Sequence, residues 1–193
     1  MKNVSLITII IAAIGLSFTV MEQATWNYDT NHAKIGFSVG HMMVSDVEGY
    51  FKKANATLTS SKDDFTDAVV EMTADANSIF TDNETRDADL KSASFFEVEK
   101  YPNVTFKSFY FKKTKTPNTY FVKGNLTMHG ITKPVALTAV AKTGTNPMSK
   151  KTIAGFKVTG TLKRSDFEIG SKVPGAIVSD EVTIDCNAEF IKN

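Results

Sequence analysis

From Thr25 onward the sequence alternates apolar and polar residues with a period of two, and that rhythm restricts the chain to strands with one buried face. Ile35, Phe37, Val39 and His41 share one parity against Lys34, Gly36, Ser38 and Gly40. Ala68, Val70, Met72 and Ala74 do the same against Val69, Glu71, Thr73 and Asp75. Further runs at Val104 to Tyr110, Tyr120 to Met128, Ile131 to Lys142, Phe156 to Leu162 and Val182 to Phe190, with Val47 to Thr59, bring the expected count to about eight strands. Lys112 to Asn118, carrying Pro117, reads as a hairpin loop, and His129-Gly130 as a tight turn in which Gly130 supplies a positive φ. Pro134 removes a ladder donor and predicts a bulge or an unpaired edge.

One segment departs from this rhythm. Between Thr81 and Pro102, the pairs Thr81 with Glu84 and Ser94 with Glu97 match the capping box, so two short helical turns are expected between the third and fourth strands. Eight antiparallel strands can close into a barrel or stack as a two-sheet sandwich, and periodicity fits both.

Composition narrows function by exclusion. A chain of 193 residues with 42% hydrophobic and 22% charged residues is an ordinary globular domain, and a net charge of +1 provides no field for nucleic acid. The single cysteine, Cys186, cannot form an internal disulfide or a CxxC site, and its parity with Val182, Ile184 and Phe190 makes it a small core residue. Residues 1–24 combine Lys2 with an apolar run from Val4 to Val20, the profile of an export signal, which leaves 25–193 as one domain.

The motifs have plain readings beside sharper ones. Gly36-Phe37-Ser38-Val39-Gly40 is a literal GxSxG, but that elbow needs a strand-to-helix turn and here Ser38 sits within a strand. His32 and His41 have opposite parity, so one continuous strand would point them to opposite faces, and no metal centre is expected. His129 reads as a solvated turn residue. Arg86-Asp87 and Arg164-Ser165-Asp166 read first as loop-fixing contacts and second as groups meeting a polar ligand head. The Asn-x-Thr triplets at Asn55, Asn83, Asn103 and Asn125 are expected by chance in a Thr-rich chain. Fourteen phenylalanines against one tryptophan either pack or line a dry channel.

A family resemblance rests on residues spread over the whole chain after the signal. Trp26-Asn27-Tyr28-Asp29 with His32, Ile35 to His41, Val47 to Phe51, Ser78 to Thr81 with Arg86-Asp87, and Leu90-Lys91-Ser92 with Phe95-Phe96 and Tyr101-Pro102 come first. Gly124 to Val135, Arg164 to Phe167 and Ser179 to Val182 follow. In order and spacing these resemble the YceI-like family, with Ala33 and Asp89 as departures. The resemblance implies an all-β, eight-stranded antiparallel lipocalin-like barrel, exported to the periplasm, holding a polyisoprenoid, quinone-like or other long lipid in an apolar tunnel, with no catalytic residue and no cofactor.

The inward parity then predicts a lining of Ile35, Phe37, Val39, Val70, Met72, Phe106, Val122, Leu126, Phe156, Leu162 and Ile184. His41, Arg86, Asp87, Arg164 and Asp166 are the candidates for a head-group or mouth role. The expected partner is a lipid, not nucleic acid or metal, and a homodimer is compatible with the sequence. Two other readings stand beside it: an enzyme acting on the bound lipid through mouth residues, and a ligand-free stress or adhesion module whose barrel is filled.

Overall fold

The computed structural model describes residues 23–193. Most of the expected export signal lies outside the described residues, and the first strand opens at Ala24, paired with Ser60. In chain order the elements are β1 (Ala24–Tyr28), β2 (Lys34–His41), β3 (Ser45–Phe51), β4 (Ala54–Ser60), β5 (Val69–Asp75), β6 (Ile79–Phe80), α1 (Glu84–Lys91), β7 (Asn103–Lys113), β8 (Thr119–Met128), β9 (Ile131–Thr145), β10 (Thr152–Lys163) and β11 (Val178–Lys192).

These eleven strands form eight staves of one wall. β1 and β2 pair successively along β11, β4 and β3 pair with β1 and β2, and β5 and β6 pair with β4 and β3. Each of these three couples is therefore a single stave with a break. The breaks adjoin one another: Lys52 N–H donates to the Ser78 carbonyl, and Asp75 N–H to that of Lys53. The remaining staves are β7 to β11, each antiparallel to the next. Pairing of β1 with β11, Trp26 against Lys192 and Tyr28 against Phe190, closes the ring and decides for a barrel over a sandwich. Closure removes the exposed edges of an open sheet, and an interior bounded by eight strands holds side chains or one slim ligand.

The period of two survives best in β8, where Tyr120, Val122, Leu126 and Met128 are buried while Phe121, Lys123 and Asn125 face out. In β7 it breaks. In sequence Tyr110 shares one face with Val104, Phe106 and Ser108, but the register shifts between Ser108 and Tyr110, so Phe111 turns inward and Tyr110 outward. The physical cause is a bulge, whose extra residue flips every later side chain to the other face. Pro134 produces no bulge. It pairs in register with Asn125, and β10 reaches only as far as Thr138 of β9, so the missing N–H falls on an unpaired edge.

Two further expectations are corrected. Only one helix forms between the third and fourth staves; Asn83 rather than Thr81 caps it, its side chain accepting from Arg86 N–H, and the segment from Ser92 to Lys100 is a series of turns. His129 is not a solvated turn residue. It adopts φ 51° beside Gly130 at 73°, its Nδ1 lies 2.9 Å from the Phe167 carbonyl, and its ring packs edge-on against Tyr101.

The interior is unlike at its two ends. At the end formed by β1, the start of β8 and the end of β11, Trp26, Phe65, Phe156, Phe190, Phe111 and Tyr120 form a chain of aromatic contacts with centroids 4.9 to 6.3 Å apart. Phe65 enters from the loop after β4, at φ 56° and almost fully buried. That loop is tied by Asp67, whose carboxylate accepts from Ser60 Oγ and Ser61 N–H, while Tyr120 Oη donates to the Asp64 carbonyl. This end is stopped. The implied tunnel is therefore a hollow closed at one end.

Candidate functional site

Above the aromatic stop the staves enclose a cavity of about 230 Å³ whose exposed surface is apolar. At roughly 10–15 Å³ for each water-sized group, that is room for about 15–23 such groups. Ile35, Phe37, Val39, Val70, Met72, Phe106, Val122, Leu126, Phe156, Leu162 and Ile184 all line it. Their alternation along the staves puts them there, since inward parity in a closed barrel has only one place to point. Leu58, Phe111 and Phe190 reach it from the aromatic end.

The other end is covered by two crossovers. Leu90, Phe95 and Phe96 come from α1 and the turns after it, and Ile169 from the loop after β10. Gly170 N–H donates to the Ser94 carbonyl and ties the two crossovers together. His129 bridges them too, with Nε2 3.5 Å from Glu97 Oε2. Phe96 packs at right angles to Phe51, which in turn packs against Phe37.

Of the five mouth candidates only Arg164 lines the cavity. It is buried, and its guanidinium donates to the carbonyls of Ser179, Ile169, Gly170, Val173 and Val178. A guanidinium has five N–H donors, so every one is committed to the backbone and peptide dipoles solvate the charge. Its role in the structure is to fold the loop from Arg164 to Val178. Asp166 is exposed, and the acid that serves this turn is Asp180, which accepts from Ser165 N–H and Oγ.

The other candidates sit elsewhere. Arg86 and Asp87 converge on Thr81: the buried Asp87 carboxylate accepts from Thr81 N–H and Oγ, while Arg86 Nε donates to Thr81 Oγ1 at 2.8 Å. His41 ends β2 outside the lining. Ser38 lies within β2, paired with Thr183 and Glu48 on either side, which is not the geometry of a nucleophile elbow.

His32 does not share a strand with His41, contrary to the premise of the parity argument; it lies in the break between β1 and β2. There Asp29, His32 and Glu189 bring ligand-type atoms within 4.8 Å of one another. The Asp29 carboxylate is bonded to His32 Nδ1 at 2.9 Å, which lowers the acid's pKa and raises that of the imidazole.

Burial sets the proton state of two groups near the cavity. The Cys186 thiol, a lining group, is pushed up to about 11, and the Tyr28 phenol to about 12 by burial and then by the neighbouring Cys186.

Sequence reasoning missed Phe65, Phe111, Leu90 and Ile169. Phe65 and Ile169 lie in loops, where parity has no meaning. The bulge hid Phe111, and Leu90 belongs to a helix with little amphipathic pattern. The capping pairs signalled helical turns in this segment, but not which side chain points in.

A model described as the YceI-like domain matches residues 26–190. The chain belongs to that family. Among YceI-like relatives, a UPF0312 protein of Staphylococcus epidermidis is 34% identical, and one of Staphylococcus aureus 32%, each over 86% of this chain and 96% of its own. The crystal structure of Burkholderia cenocepacia BcnA superposes with a TM-score of 0.73 at 24% identity, covering 84% of this chain and 98% of its own. A polyisoprenoid binding domain from Saccharophagus degradans superposes with a TM-score of 0.64 at 13% identity, covering 87% and 98%. At those identities the structural likenesses establish the YceI-like barrel and nothing finer.

Proposed function

We propose that this YceI-like protein is a non-enzymatic lipid carrier of the periplasm that sheathes one long apolar chain, of polyisoprenoid or quinone-like type, inside the barrel. The observation that carries this reading is the cavity, about 230 Å³ with an apolar surface. Apolar ligands gain about 0.8 kcal/mol for each methylene buried, so a dozen methylenes give a gross gain near 10 kcal/mol without a single polar contact. The polyisoprenoid-binding description of the Saccharophagus neighbour points the same way. The apolar run before Val20 supports export.

Arg164 favours the carrier over an enzyme that acts on a lipid head group. It is the one ionisable basic group lining the cavity among the described residues, and its donors are spent on five carbonyls. The filled-barrel alternative conflicts with the void itself.

Native mass spectrometry of the protein purified from its own host tests the reading, with a Val158→Phe, Val182→Phe variant that narrows the cavity as control. The wild type is expected to carry an apolar passenger, and the variant to melt at a similar temperature with that mass absent. A passenger-free wild type, or equal occupancy in both proteins, would overturn the carrier.

A further inference from the structure

The hairpin between β2 and β3 ends in Met42, Met43 and Val44, which are 54%, 84% and 84% exposed, and Ile177 beside them is 43% exposed. Met42 N–H donates to the Ile177 carbonyl at 2.9 Å, so the four residues form one protrusion from two loops. The backbone at the tip is left-handed twice in succession, φ 50° at Met42 and 59° at Met43. Turns of this kind favour Asn and Gly, whose small or polar side chains tolerate that region. Here the position is given to two long apolar side chains, of which Met42 is left about half exposed and Met43 almost wholly so. A strained turn that displays apolar groups to water is a reason to look for what those groups meet.

Its position supplies the answer. Val39, two residues before His41, lines the cavity, as does Val178, the neighbour of Ile177. Val178 pairs with His41 across the sheet. The apolar protrusion is thus continuous with the cavity wall at the end opposite the aromatic stop. The geometry points to the Met42-Met43-Val44 tip, with Ile177, as a wedge that enters the interface of a lipid bilayer and sets the crossover-covered end of the barrel against it.

The shape of the tip selects a bilayer over a protein partner. A stable protein interface engages about 20–30 residues a side in a complementary surface. Four residues on a convex tip suit a deformable apolar medium. From His41 to Ser45 the hairpin holds no Lys or Arg, so the contact is driven by apolar insertion rather than by attraction to anionic lipid and should be indifferent to salt. The described helix is too short to cross a membrane. The inference rests on the carrier reading for its purpose, but its test does not.

Sedimentation with neutral phosphatidylcholine vesicles reads the contact, at low and high salt, for the wild type and for Met43→Asn, Val44→Ser. Asn suits the left-handed backbone, and both positions are solvent-exposed, so the variant should melt like the wild type. The wild type is expected to bind at both salts, and the variant to lose about tenfold in partitioning for each side chain replaced. Equal binding by both proteins, no binding by either, or self-association that depends on Met43 in place of vesicle binding would each overturn the wedge. Uptake of a pyrene-labelled alkyl chain from solution is measured in parallel. If both proteins fail to take it up, the carrier reading falls while the vesicle result still decides the wedge.

Discussion

Cys186 faces the cavity with its proton held on by burial, which ties its chemistry to pH in a defined direction. In the folded chain the thiol titrates at about 11 rather than near 9, so between those values the unfolded chain releases a proton that the folded chain keeps. Stability is therefore full below pH ~9 and falls as pH rises towards the folded value, by roughly 2–3 kcal/mol over the two units. Tyr28, half buried and raised to about 12, adds to the same alkaline loss. Urea melts across this window are expected to show a shallower decline in Cys186→Ala, and an unchanged slope would exclude the thiol as the source. The same burial predicts that iodoacetamide leaves the native thiol unmodified at mildly alkaline pH. Arg164 poses the opposite problem, a buried cation whose hydrogen-bond acceptors are all peptide carbonyls. Arg164→Met orphans five carbonyls and is expected to cost roughly 3 kcal/mol, a fall of about 6–12 °C in Tm. Arg164→Lys, with three donors, should recover part of it. A methionine variant that melts like wild type would show that the loop does not depend on those bonds.

Elements show where packing overrides pattern. Gly124 of β8 faces Phe106 so closely that an added Cβ would lie 2.3 Å from the ring and 2.7 Å from the Lys107 carbonyl. Gly124→Ala is expected to destabilise by about 1–3 kcal/mol through overpacking, measurable as a shift in urea midpoint. The inward parity of β8, β9 and β11 was legible because in long, regular staves every second residue meets the same environment. The bulge at Ser108 was not, because its cause is tertiary: Ser108 Oγ replaces a ladder partner and accepts from Val70 N–H, a bond between residues far apart in sequence. The break that separates His32 from β2 falls on Asp29-Thr30-Asn31, where Asn31 N–H donates to the Asp29 carboxylate in a local turn, and it adjoins breaks in two neighbouring staves that local sequence does not announce. Arg86 and Asp87 were visible as a charged pair, yet each is spent on Thr81, and their adjacency in sequence says nothing of a shared target. Phe65 was illegible for a further reason. It reaches the barrel end through a left-handed backbone that bulky residues rarely adopt, held there by a loop knotted around Asp67. Phe65→Ala should cost about 3–5 kcal/mol, and a loss well below that would mean the neighbouring rings collapse to fill its place.

For the molecule as a whole, the family resemblance carried the architecture and the alternation carried the lining, but neither showed that the two ends differ. One is filled by aromatic rings and the other is covered by segments that are tied to each other by Gly170, Ser94 and His129. Opening the stopped end with Phe65→Ala, Trp26→Ala is expected to lengthen the largest passenger seen by native mass spectrometry if the double variant folds, as read by its melt. An unchanged upper limit would place the boundary elsewhere. A bore with a solid floor is also a ruler. On the carrier reading, a guest that enters tail first would meet this floor, so short guests would leave unfilled space above it, long ones would trail their surplus out of the bore, and depth alone would grade guests by length.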